Sequence, residues 1–184
     1  MRKFFTLLWL LCPVAVLYYH FNEGQDQLAR VQARAHVKAI RELEAAPEPD
    51  YALIIEEYDK LTGELPKSER PLVRHQIRLA KAKAQLEMLD VVGATQELTL
   101  LLQEAAQVHG EDAKLTRAVR ETLGKAHYYA TYLLKTNGAA ESEWRPYAER
   151  TRQIFRFLAE HQEPGALAKY EERVAAEFEK TLNQ

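Results

Sequence analysis

The side chains best suited to metal binding are spread along this chain rather than grouped. None of its six histidines has a histidine or cysteine partner three or four residues away, the spacing that puts two ligands on one helix face. A metal site would therefore need ligands from different helices. We expect the histidines to lie at the surface or at helix ends and to bind no metal; they are His20, His36, His75, His109, His127 and His161.

The candidate nucleophiles also lack the surroundings that catalysis requires. Cys12 lies inside an apolar run, where a thiolate is strongly disfavoured, and Ser68 and Ser142 stand where helix caps are expected. The sequence contains no Gly-x-Ser-x-Gly motif and no glycine-rich phosphate loop. Adjacent acids such as Glu171 and Glu172 point to different faces of a helix. We therefore expect no enzymatic activity and no cofactor.

The overall composition narrows the class of protein further. Hydrophobic residues make up 47% of the 184, which is enough for a folded core. The 25 basic and 27 acidic residues give a net charge of −2, whereas general nucleic-acid-binding proteins carry a large basic excess. The single cysteine excludes an internal disulfide framework. We expect a folded protein that does not bind nucleic acid.

Charge is unevenly distributed along the chain. Residues 42–64 contain eight acids and one lysine, while residues 70–86 contain five cations and no acid. Arg74, Arg78 and Lys81 recur at helical spacing and share one face. This basic face could bind an acidic peptide of a partner protein, since guanidinium and ammonium groups suit carboxylates. The alternative is that the helix faces the neighbouring acidic helix or is an ordinary solvated face.

The N-terminus predicts a membrane anchor. Arg2 and Lys3 precede an apolar run, Phe4–Phe21, of about 18 residues, which as a helix would span roughly 27 Å. The basic residues favour a cytosolic N-terminus, so that residues 22–184 face outward, into the periplasm of a bacterium, from the inner membrane. A cleaved signal peptide and lipidation at Cys12 are the alternatives. No small-x-small cleavage site follows the run, and Leu11 replaces the small residue that normally precedes a lipidated cysteine.

The rest of the chain follows a helical period throughout and contains no alternating run long enough for a strand. We divide it into a membrane segment (1–22), a helical stalk (23–49) with a thin stripe of Leu28, Val31 and Ala35, and an α-helical domain (50–184). The predicted helices cover about 24–46, 51–62, 70–90, 94–108, 112–136, 142–161 and a last segment from Leu167 to Leu182. Asp50 is the predicted N-cap of helix 51–62, and a short turn around Gly93 precedes helix 94–108. The predicted apolar stripe of helix 51–62 is Ile54, Tyr58 and Leu61, and that of helix 112–136 is Leu115, Val119, Leu123, Ala126, Ala130 and Leu133. The fold class is therefore all-α, with antiparallel hairpins forming either a closed bundle or a stack.

The pair of helices 70–90 and 94–108 resembles a tetratricopeptide-repeat hairpin. Ala82 and Ala94 fall where that family packs its two helices closely, and Leu98 takes the large apolar position that follows. The later pair, from His127-Tyr128-Tyr129-Ala130 to Phe155-Arg156-Phe157-Leu158, is similar to it in outline, and to membrane-anchored bacterial helical-repeat proteins. The family's Trp-x-x-Leu-Gly opening, its 34-residue period and its closing proline are missing.

This resemblance implies an α-solenoid scaffold that binds proteins and has no chemistry of its own. In tetratricopeptide folds the first helix of each hairpin lines the concave surface. The residues that would contact a partner here are Arg74, Arg78, Lys81, Arg117, Arg120, Tyr128 and Tyr132. We expect a membrane-anchored adaptor that holds a partner protein on the periplasmic side. The alternative is a structural bundle of the cell envelope that associates with itself as a homo-oligomer.

Overall fold

A computed structural model describes residues 25–66 and 68–161, and every regular element within them is an α-helix. The all-α prediction is thus confirmed for the described part of the chain. In chain order the helices are α1 (Gln25–Glu44), α2 (Tyr51–Glu64), α3 (Pro71–Glu87), α4 (Val91–His109), α5 (Lys114–Thr136) and α6 (Glu141–Glu160). The predicted anchor, Phe4–Phe21, and the predicted last helix lie outside the described residues. None of the described helices is long and apolar enough to cross a membrane.

The chain divides into two compact units, with the boundary inside α3 between Ala84 and Gln85. In the first unit, α1 packs against α2. The core of this unit joins Ile40 of α1, three residues of α2 and Ala84 of α3; the α2 residues are Ile54, Tyr58 and Leu61. The stripe predicted on α2 is therefore confirmed as its buried face.

The stripe predicted for α1 is wrong. Leu28 and Val31 are 60% and 62% exposed, and Ala35 is exposed as well. Helix α1 instead packs through Val37 and Ile40, on another face. Its arginines and glutamines are so evenly distributed that the sequence does not single out the packed face.

The ends of α2 illustrate which local signals decide a helix boundary. The Asp50 carboxylate accepts hydrogen bonds from the backbone N–H groups of Ala52 and Leu53, at 3.0 and 3.2 Å, which confirms it as the N-cap. Gly63 does not end the helix, which continues to Glu64 before the extended residue Leu65. Proline at 66 imposes that extended conformation on the residue before it.

Helix α3 begins at Pro71, but Ser68 does not cap it as predicted. The Ser68 hydroxyl instead donates a hydrogen bond to the Asp26 carboxylate of α1. Proline is well suited to the first helical position because its missing N–H has no partner there.

The turn between α3 and α4 lies in the second unit, and its position differs from the predicted one. We expected a turn around Gly93, but Gly93 lies inside α4, and its N–H donates to the N-cap Asp90 at 3.0 Å. The turn is centred on Leu89, whose φ of 61° is in the left-handed region that normally favours glycine. The sequence offers no glycine at this position, so the turn carried no recognisable signal.

Helix α5 packs against both α4 and α6. Its predicted stripe is buried from Leu115 through Val119 and Leu123 to Ala130, while the last residue of the stripe, Leu133, is half-buried. At Gly124 the two helices approach closely: a Cβ at this position would lie 2.9 Å from the Phe155 ring and 3.0 Å from Ile154. Gly124 is therefore needed for the contact between α5 and α6.

Candidate interaction surface

The basic face of α3 is engaged within the first unit. Lys81 forms an ion pair with Asp59 of α2, and the Arg74 guanidinium donates to the carbonyl oxygen of Pro66. Arg78 is half-buried on the same helix. These contacts favour the alternative interpretation of the charge pattern, in which α3 neutralises the acidic helix beside it.

Arg120 of α5 is also an internal residue. Its side chain is buried, with the guanidinium 4.3 Å from the centre of the Phe157 ring of α6 and hydrogen-bonded to the Glu111 carboxylate. A cation over an aromatic face is attracted by the negative charge of the ring's π system. Arg120 thus fixes the packing of α6 on α5 instead of lining an open surface.

The remaining three predicted contact residues lie along one face of α5. Arg117 and Tyr128 are half-buried, and Tyr132 is 41% exposed. Positions 117, 128 and 132 are separated by eleven and four residues, which are close to whole numbers of helical turns, so they share one face. Lys114, Glu121 and Lys125 are exposed on the same face. We call this set of six residues the α5 outer surface.

The charges of the α5 outer surface leave a local positive excess. Lys125 is paired with Glu121 at 3.0 Å, both side chains being half exposed, so that this pair is neutral as a whole. Lys114 and Arg117 then supply the excess charge. Arginine and tyrosine are the residue types most often found at the energetic centres of protein interfaces. This surface is therefore chemically suited to an acidic protein segment.

The aromatic residues at the N-terminal end of α6 are directed toward α5. The Lys135 ammonium lies 4.5 Å from the centre of the Trp144 ring, and the Tyr147 ring lies 5.9 Å from the ring of His127. Trp144 and Tyr147 are half-buried. They contribute to the packing of the two helices, which leaves the tyrosines of α5 as the aromatic part of the outer surface.

The histidines behave differently from the prediction that all lie at the surface or at helix ends. His109 and His161 do end helices, but His75 and His127 are buried. His127 is 4% exposed, and its Nδ1 atom has no hydrogen-bond partner among the residues that the structure describes. Burial, together with the nearby positive charge of Arg150, lowers the pKa of His127.

His36 joins α1 to α2 by a contact that the sequence does not indicate. Its Nδ1 atom lies 2.6 Å from Glu57 Oε2, and its Nε2 atom lies 2.9 Å from Glu64 Oε2. The two glutamates are seven residues apart, two turns of the same helix face. The hydrogen bond to Glu57 raises the pKa of His36, and hydrogen bonds from Lys60 and His36 lower the pKa of Glu57.

Replacing His36 with glutamine is expected to destabilise the chain at pH 5.5 by about 1 kcal/mol and to have a smaller effect at pH 8.5. Because the pKa of His36 is higher in the folded state, its protonation stabilises the folded chain fully at pH values below its unfolded pKa of 6.5. This stabilisation is lost as the pH rises through the folded pKa. Because the pKa of Glu57 is lowered in the folded state, its carboxylate stabilises the folded chain at pH values above its unfolded pKa of 4.5.

Melting temperatures of the two proteins at both pH values check this prediction. Both proteins contain His127, so its contribution to stability cancels in the comparison. That contribution has the opposite sign, because the lowered pKa of His127 means that protonation below pH 6.5 favours the unfolded chain. A difference that grows as the pH rises would contradict the assignment.

Within the described residues, no three histidine, cysteine, aspartate or glutamate side chains are placed to hold a metal ion. No protein-family model matches the chain, and no significant match is found among curated protein sequences or solved structures. The candidate surface therefore has to be judged by its own geometry and charge.

Proposed function

We propose that this protein is an adaptor that binds an acidic segment of a partner protein through the α5 outer surface and has no catalytic role. The observation that carries the proposal is the exposed ring of Tyr132, which shares one face of α5 with Tyr128 and Arg117. Three other predicted contact cations already bind groups within their own units, and these are Arg74, Lys81 and Arg120. The α5 outer surface is thus the part of the predicted contact set best placed to meet another protein.

The proposed partner segment combines carboxylates with an apolar or aromatic residue. Lys114 and Arg117 would pair with the carboxylates, with Arg117 able to bind one through two parallel hydrogen bonds. The tyrosine rings offer a large contact area with only two rotatable side-chain bonds each, so little conformational entropy is lost on binding. This combination favours a protein ligand, and the net charge of −2 differs from the large basic excess that is typical of nucleic-acid-binding proteins.

The adaptor would be a stack of helical hairpins of the tetratricopeptide type. Two features support this finer description. The connections between consecutive helices contain three to six residues, as expected for antiparallel neighbours. The three residues that carry the family resemblance, Ala82, Ala94 and Leu98, are each completely buried.

We further propose that the adaptor is anchored in the inner membrane and works on its periplasmic side. The support comes from the sequence, in which Arg2 and Lys3 precede the apolar run Phe4–Phe21. Anchoring would keep the partner near the membrane surface and raise its local concentration.

Affinity capture tests this function. The full-length chain, solubilised from the membrane fraction in mild detergent, would be compared with a variant carrying Arg117→Glu and Tyr132→Ala. We expect the captured partner to decrease at least tenfold, because the variant replaces an attractive charge with a repulsive one and removes the exposed ring.

The control for this experiment makes an equal charge change elsewhere. Arg152 and Gln153 are exposed on α6, and the variant Arg152→Glu with Gln153→Ala should capture the partner as well as the unaltered chain does. Equal capture by all three proteins, or equal loss from both variants, would rule out the α5 outer surface as the binding site.

A further inference from the structure

The outward face of α4 is unusual because it carries almost no charge. Six exposed positions of α4 follow one another at spacings of four, three, one, three and four residues. These spacings keep the six side chains on one side of the helix. All six are exposed and uncharged, although 28% of the chain is charged, and the one exposed charged residue of α4, Glu104, lies at the edge of this stripe. We call them the α4 stripe: Val92, Gln96, Thr99, Leu100, Gln103 and Gln107.

The apolar members of this surface extend well into solvent. Val92 is 71% exposed and Leu100 is 55% exposed. Leu89, in the turn just before α4, is also exposed although its backbone has a positive φ. Leucine in this conformation costs about 1 kcal/mol relative to glycine.

The polar members of the α4 stripe can pair with copies of themselves. A glutamine amide both donates and accepts hydrogen bonds, so two identical glutamine faces can satisfy each other. The Thr99 hydroxyl already donates to the carbonyl of Thr95, at 2.7 Å, which leaves its methyl group for packing. A face of lysines or glutamates would repel an identical face, whereas this one would not.

We propose that the α4 stripe docks a second copy of this chain, with the two α4 helices antiparallel about a two-fold axis near Thr99 and Leu100. In a two-fold interface every contact occurs twice: if one residue of the first copy contacts a second residue of the other copy, the same two residues also meet with the copies exchanged. With the axis there, Gln96 would face Gln103 of the partner subunit, and Val92 would face Gln107 of the partner subunit. The antiparallel arrangement also brings the opposite ends of the two helix dipoles together.

The size of the stripe predicts a modest affinity. Helix α4 has 19 residues and is roughly 28 Å long, so one face of it buries less than the ~800 Å² per partner of a standard interface. The dimer should therefore form in a concentration-dependent way. This association uses a different helix from the proposed partner-binding surface, so either can fail without the other.

Sedimentation equilibrium of the full-length chain in mild detergent tests the proposal over a range of micromolar concentrations. The unaltered chain should show a monomer–dimer equilibrium. Leu100→Lys should weaken the dimer at least tenfold, because it places two like charges beside the axis. The matched control is Leu28→Lys on α1, where a leucine of similar exposure is replaced, and its dimer should be as strong as that of the unaltered chain.

Disulfide formation tests the geometry. In a Cys12→Ser background, Thr99→Cys should form an intermolecular disulfide on mild oxidation, whereas Gln153→Cys, exposed on α6, should not. The proposal is overturned if the unaltered chain stays monomeric at every concentration, if Leu100→Lys dimerises as strongly as the unaltered chain, or if the two cysteine variants cross-link equally.

Discussion

Replacing Gly124 with leucine is expected to lower the stability of the second unit by about 3 kcal/mol or more. The reason is the close approach of α5 and α6, where even a Cβ at Gly124 would lie 2.9 Å from the Phe155 ring. A leucine adds three further carbons to a buried position, so the two helices must separate or Phe155 must leave its place. Either response exposes apolar surface that the folded unit buries.

Thermal unfolding followed by circular dichroism measures this effect as a fall in melting temperature of about 10 °C. Gly63→Ala is the matched control, because Gly63 is also inside a helix but has no atom of the described part of the chain within 4 Å of the Cβ position. The control variant should be more stable than the unaltered chain by about 0.5–1 kcal/mol, since alanine has a higher helix propensity than glycine. Similar melting temperatures for the Gly124 variant and the unaltered chain would show that α5 and α6 do not pack this closely.

Replacing Arg120 with glutamate is the second change with a large expected effect, a loss of about 3 kcal/mol. Arg120 is 9% exposed, so the new carboxylate would be buried beside the Glu111 carboxylate with which the arginine now pairs. The variant also removes the guanidinium from the Phe157 ring, 4.3 Å away. An unpaired buried charge is costly because nothing replaces its hydration.

Urea unfolding of the full-length chain compares this variant with Arg117→Glu. Arg117 lies one turn earlier on α5 and is only half-buried, so its charge reversal should change the free energy of unfolding by less than about 1 kcal/mol. The pair therefore separates an internal arginine from one that belongs to the α5 outer surface. Equal losses from both variants would contradict that distinction.

The helices could be predicted from the sequence because their apolar residues recur at helical spacing. The stripe of α5 from Leu115 to Ala130 and the N-cap at Asp50 both correspond to what the structure contains. The turn at Leu89 could not be predicted, because its backbone takes a conformation for which leucine gives no signal. The packed face of α1 was missed because that helix has few apolar residues and charged residues on several sides.

The candidate site was only partly predictable for a different reason. Sequence patterns place a residue on a helix face, but they do not say which side chain from another helix lies against it. Lys81 and Asp59 are 22 residues apart, and His36 and Glu57 are 21 apart. Such pairs form only when the helices pack, so the basic face of α3 could be identified, but the sequence could not decide between partner binding and pairing with the acidic helix.

Site-specific photo-cross-linking in cells tests the central claim most directly, that the α5 outer surface contacts a partner protein. A photoreactive phenylalanine analogue at position 132 of the full-length chain would take the place of the exposed Tyr132 ring. The same analogue at position 153, exposed on α6, serves as the control. We predict a discrete adduct with a different protein from position 132 and none from position 153. The absence of an adduct at position 132, or the same adducts from both positions, would contradict the assignment of this surface.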